Sequence, residues 1–160
     1  MRLFLIALLS LLCISCASTR KAVLTSVVIE EVKPRYIDKQ AFVRISEYMT
    51  GKENTGNRMI FRSDVDARGG YYFVLILDHK IERLPTGTTI TAEIYAPNAL
   101  DLQTYSFTLP AQRPETKEIF IGLTGQDWPD KEGIPKAWRF TLQGPNGEML
   151  GSHQSYLWSL

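Results

Sequence analysis

Beyond residue 22 the dominant signal is alternation: apolar and polar side chains exchange every second position, with β-branched and aromatic residues enriched, as half-buried strands require. Residues 88–96 set Ile90, Ala92, Ile94 and Ala96 against Thr89, Thr91 and Glu93. Residues 103–109 set Tyr105, Phe107 and Leu109 against Thr104, Ser106 and Thr108. Residues 137–143 set Trp138, Phe140 and Leu142 against Arg139, Thr141 and Gln143. The run at 71–77, Tyr-Tyr-Phe-Val-Leu-Ile-Leu, is apolar at every position and predicts a central strand covered on both faces. Further strands are expected over the valine-rich residues 23–32, around Met59, Ile60 and Phe61 in 57–63, over 118–123, and over 149–158. Residues 42–48 alternate less cleanly and read either as a strand or as a short helical turn.

Turn chemistry punctuates these runs at Gly69-Gly70, Pro85-Thr86-Gly87, Pro97-Asn98 and Gly144-Pro145-Asn146-Gly147. The last of these predicts a hairpin between 137–143 and 149–156. Eight or nine short strands with no long amphipathic helix define an all-β antiparallel sandwich or barrel, and the sandwich is the favoured form. The strand rhythm over residues 40–158 resembles that of immunoglobulin-like domains of secreted and surface proteins. The resemblance implies two packed antiparallel sheets, held here by apolar packing alone, because the Cys…Trp…Cys signature of antibody domains is missing.

The N-terminus follows a different rule. Met1-Arg2 is followed by an apolar run from Leu3 to Leu12, broken only by Ser10, and then by Cys13-Ile14-Ser15-Cys16-Ala17. A positive charge, about ten apolar residues and a small-residue cluster make a secretory signal, and the run is too short to span a bilayer. The stretch Cys13-Ile14-Ser15-Cys16 resembles the lipobox of bacterial lipoproteins, although Cys13 stands where that pattern most often has leucine. The resemblance implies cleavage before Cys16 and lipid attachment to its thiol. Ala17 after it implies sorting to the outer membrane, on the periplasmic face. The competing reading is ordinary cleavage after Ala17, which releases a soluble protein. On the lipoprotein reading, residues 1–15 are the signal peptide, 16–22 a short tether and 23–160 a single sandwich domain. The tether reaches at most about 20 Å, and several acyl chains on one cysteine hold a domain firmly at a membrane.

Composition narrows the class further. The full chain of 160 residues carries 18 basic and 17 acidic side chains. A formal net charge of +1 speaks against a nucleic-acid partner, which calls for a basic excess. Removing residues 1–15 from the 160 leaves 145, enough to fold on one core without a disulfide. Arg20, Lys21, Lys33 and Arg35 gather near the anchored end, either facing anionic headgroups or forming a solvated edge.

Candidate chemistry is sparse. His79 and His153 are the two histidines, and neither sits in a nucleophile motif; both read as strand or surface residues. The acidic runs Asp64-Val65-Asp66 and Asp127 to Glu132 are oxygen-rich, yet neither has the spacing of a twelve-residue calcium loop. No metal, no cofactor and no enzymatic activity are expected. The long connection 124–135 is the segment singled out, with Trp128, Asp127 and Asp130 as candidate binding residues. Trp128 either anchors a partner or folds down as a lid over the end of the sandwich. Trp138 and Trp158 read as strand residues packed in the core or on a sheet face. The expectation is a lipid-anchored, non-catalytic envelope module that presents loops or a sheet edge to a protein or wall polymer. The alternative is a periplasmic carbohydrate-binding domain or hydrolase that uses the 124–135 loop.

Overall fold

A computed structural model describes residues 22–97, 100–128 and 131–159; the expected signal segment 1–15, Cys16 and Asp130 lie outside the described residues. Eight strands follow one another: β1 (Ile29–Ile37), β2 (Met59–Arg62), β3 (Gly70–Leu77), β4 (Thr89–Tyr95), β5 (Gln103–Thr108), β6 (Glu118–Thr124), β7 (Ala137–Gln143) and β8 (Met149–Gln154). They form two four-stranded sheets, β1-β3-β6-β2 and β5-β4-β7-β8, stacked as an all-β sandwich. All neighbours run antiparallel except β2, which lies parallel to β6.

The alternation in the sequence becomes the core. Ile90, Ala92 and Ile94 of β4 and Phe140 and Leu142 of β7 meet Tyr71, Phe73, Leu75 and Leu77 of β3 and Ile119, Ile121 and Leu123 of β6. The Phe73 ring lies 5.2 Å from Phe140 and 6.0 Å from Trp138, bridging the sheets at their centre. The expected 137–143/149–156 hairpin is present, with Gly147 at a positive φ of 82° that glycine adopts without strain.

The unbroken apolar run of β3 is explained by a second layer. On the outer face of its sheet, Tyr72 and Val74 of β3 and Phe120 of β6 pack with Phe42. Phe42 closes a 3₁₀ turn, Lys39–Phe42, which leads into α1 (Ile45–Thr50). Residues 42–48 are therefore helical turns and not a strand. The excursion between β1 and β2 wraps the outside of the first sheet and is pinned by charge. Arg62 grips Glu53 with both ends of its guanidinium, at 2.6 and 2.9 Å, and donates from Nε to the Tyr72 hydroxyl at 3.0 Å. Tyr72 in turn donates to the Arg68 carbonyl at 2.7 Å, and Arg68 Nη1 reaches Glu47 at 2.6 Å.

Two further strand expectations are corrected. The first strand covers 29–37, not 23–32. The valine-rich segment before it crosses to other elements, with the Val27 amide donating to the Leu150 carbonyl at 2.8 Å and the Leu24 amide to Arg83 at 2.9 Å. The last strand stops at Gln154, and Trp158 lies in a 3₁₀ turn, Tyr156–Ser159, where its ring takes the Arg139 guanidinium at 4.7 Å.

Candidate functional site

Strand direction sorts the loops into two ends. β1 finishes beside Gly70, and Gly70 pairs with Thr124, so the 38–58 excursion, the 63–69 loop and the 125–136 connection all leave from one end. Tyr95 pairs with Ala137 and Ile94 with Gln103, which brings the 96–102 loop and the 155–159 turn to the same end. The chain enters at the other end. There Ala22 borders a shallow depression of about 550 Å³ with Asp78, His79, Lys80, Arg83 and Lys117.

The singled-out connection lies at the far end. It opens with a 3₁₀ turn, Gly125–Asp127, and then drops Trp128 inward. Trp128 is only 4% exposed, and its ring lies 4.6 Å from that of Tyr71. The side chain therefore forms the lid of the core at this end and is not an exposed anchor. Asp127 faces Tyr105; burial pushes the Tyr105 phenol up to about 12, and the Asp127 carboxylate beside it adds to the rise. Asp127 and Trp128 thus tie the connection to β5 and β3, and Asp130 lies outside the described residues.

Further along, Lys131 reaches across to the start of the 38–58 excursion. Its Nζ lies 2.8 Å from Asp38 Oδ1 and 5.5 Å over the Tyr36 ring. Together with Lys39, Asp66 and Arg68 these side chains line an open groove of about 620 Å³. Its charges are mixed in sign. Asp64 is occupied locally: its Oδ1 accepts the Asp66 amide at 3.0 Å, and its backbone carbonyl accepts the Thr124 hydroxyl at 2.8 Å. Among the described residues no cluster of three or more histidine, cysteine or acidic side chains is placed to hold a metal ion.

The histidines lie apart from the groove. His79 pairs with its neighbour Asp78 at 2.9 Å at the entry end. His153 sets Nδ1 2.9 Å from the Ile29 carbonyl and stacks its ring on Trp138. Lys33 pairs with Glu31 at 3.1 Å along the β1 edge, with both side chains about half exposed.

The feature that sequence reasoning missed is an apolar ridge on α1. Ile45, Tyr48 and Met49, spaced i, i+3, i+4, share one face of the helix and are each more than 80% exposed. The spacing was visible in the sequence, but only the fold shows that this face turns away from the sheet. Around the same end Val65, Leu100, Ile134, Tyr156 and Leu157 also stand exposed.

No family model, no curated protein and no solved structure matches the chain. No helix among the described residues is long and apolar enough to cross a membrane.

Proposed function

We propose that the protein is a lipid-anchored, non-catalytic module of the bacterial envelope, which holds a protein partner at the end of its sandwich away from the anchor. One observation carries the reading. Among the described residues, seven of the thirteen large exposed apolar side chains belong to strand ends, loops and turns at that far end, and three more ride on α1, which Glu47 ties to Arg68 of the 63–69 loop there; Val23, Val28 and Met149 are the others. Soluble domains expose apolar side chains singly, and a concentration of them marks a contact surface. A tether of about 20 Å would hold the entry end at the membrane and turn the opposite end outward.

The strand order supports the immunoglobulin-like form of the sandwich. With β2 set aside as an added parallel edge, β1-β3-β6 lies against β4-β7-β8, as first, second and fifth strands lie against third, sixth and seventh in that architecture. β5 joins the second sheet, whereas the fourth strand of the constant-type domain joins the first. The carbohydrate or hydrolase reading draws less support, since Trp128 turns into the core and the groove at this end mixes opposite charges.

Two measurements test the proposal. Mass spectrometry of the mature N-terminus should find a lipid-modified Cys16; an unmodified Ser18 or Thr19 start would remove the anchor. A photo-reactive side chain at Tyr48 or Ile134 should capture a defined envelope protein in intact cells, and one at Met149 or Lys117 should not. Equal capture from both ends would remove the assignment of the binding end.

A further inference from the structure

A sandwich has four edge strands, and an exposed edge is an open template for pairing that folded proteins usually blunt. Three of the four are blunted here. β1 carries Pro34, a bulge between Ile29 and Glu31, and the charges of Glu30, Glu31, Lys33 and Arg35. β2 is four residues long, follows Arg58 and ends on Arg62. The outer side of β8 is occupied, with the Leu150 carbonyl taking the Val27 amide and His153 meeting the Ile29 carbonyl.

β5 has none of these devices. Gln-Thr-Tyr-Ser-Phe-Thr contains no charge and no proline, and it pairs with β4 without a bulge. Beyond it the sheet has no further strand among the described residues. Its exposure alternates, with Tyr105 and Phe107 packed against the core and Thr104, Ser106 and Thr108 outward.

We infer that β5 pairs antiparallel with β5 of a second copy of this chain, fusing the two β5-β4-β7-β8 sheets across a two-fold axis at Ser106. Self-complementarity selects this occupant. Residues opposite one another in an antiparallel ladder share a face. A register pairing inward with outward positions would reverse one copy's sheet, so the axis lies midway between one residue and the same residue of the other copy. An axis at Tyr105 sets Gln103 against Phe107. An axis at Ser106 sets Tyr105 against Phe107 on the inner face and Thr104 against Thr108 on the outer face, both favoured cross-strand pairs. The row is uncharged, so no like charges oppose one another along the ladder, and a charged peptide finds no counter-charge on the strand.

A six-residue edge buries less than the roughly 800 Å² per partner of a standard interface, so the dimer forms weakly, with a dissociation constant on the order of 10–100 μM. Sedimentation velocity of the purified full chain in mild detergent tests it, using two double variants. Thr104→Lys with Thr108→Glu places Lys opposite Glu at both symmetric pairs, whereas Thr104→Lys with Thr108→Lys places Lys opposite Lys. The first should dimerise within about threefold of the wild type. The second should be weakened at least about tenfold, with both melting cooperatively near the wild-type temperature. Equal weakening of the two variants would overturn the register. A wild-type chain that stays monomeric up to about 1 mM would overturn the dimer, whether or not the edge takes up a strand from another protein.

Discussion

The two sheets share one core but treat their outer faces in opposite ways. On the β5-β4-β7-β8 sheet the outward positions are polar, with Thr91 opposite Thr141 and Glu93 gripping Arg139 at 2.6 Å, so that face meets water. On the β1-β3-β6-β2 sheet the outward positions of the two central strands are Tyr72, Val74 and Phe120, and they are buried under Phe42. The difference shows what the 38–58 excursion does. By giving the first sheet a second apolar layer, it fixes a helical lobe at the far end, and α1 holds its ridge out from there. The binding surface proposed above depends on a layer that only one of the two sheets possesses.

The largest effect is expected where that layer is held. Tyr72 is fully buried although it points away from the inter-sheet core, and its hydroxyl links Arg62 to the Arg68 carbonyl. Tyr72→Ala should cost about 4 kcal/mol, roughly 10 °C of melting temperature, as much as a substitution in the shared core. Gly122 of β6 belongs to the same contact, because a Cβ there would run into the Tyr72 ring. Gly122→Ala should therefore cost about 2 kcal/mol in the native chain but under about 0.5 kcal/mol in the Tyr72→Ala background. Thermal unfolding of the four chains checks both, and additive effects would mean that the tyrosine does not lie on Gly122.

Much of this contrast is legible in the sequence. Strict alternation over 88–96 and 137–143 announces a sheet with one wet face, and the seven apolar residues at 71–77 announce a strand with two dry ones. What covers the second dry face is not legible. Phe42 gives one apolar contact from irregular backbone, and its partners Tyr72 and Phe120 are distant in sequence. The misplacement of β1 has a related cause. Val27 is apolar because it packs in the core, but its amide bonds to Leu150 of the other sheet, whereas the true strand is a charged edge with Pro34 in it. Apolar content reports burial, not the ladder a residue joins. Trp128 repeats the lesson, because sequence leaves lid and anchor open and only the 4.6 Å approach to Tyr71 decides between them.

Acid should separate the two faces next. The Arg68 guanidinium beside Glu47 and the Arg62 guanidinium beside Glu53 hold both carboxyls below their ordinary range. A depressed carboxyl contributes stability that is complete above its unfolded value, near 4.5, and is lost as pH falls through the folded value. The 38–58 lobe should therefore loosen below about pH 4.5 while the inter-sheet core persists. Hydrogen exchange at pH 3.5 should show amides of α1 losing protection before those of β4 and β7. Glu53→Gln should produce part of that loosening at neutral pH. Simultaneous loss across both sheets would show that the lobe is not a separate unit of stability.

The smallest effect, expected at Thr91, becomes the sharpest discriminator when the same glutamate is also placed in the buried layer. Val74 and Thr91 occupy equivalent places, each on a central strand and outside the shared core, yet Val74 lies under the excursion and Thr91 faces outward between Thr141 and Ser106. Thr91→Ala should shift stability by no more than about 0.5 kcal/mol, and Thr91→Glu by little more, since an added carboxylate stays hydrated there. Val74→Glu buries the same carboxylate beside Tyr72 and Phe120 and should fail to fold or melt far lower. If chemical denaturation found the two glutamate substitutions equally tolerated, the excursion would be a loose flap over the sheet. The rigid presentation of Ile45, Tyr48 and Met49 would then lose its foundation.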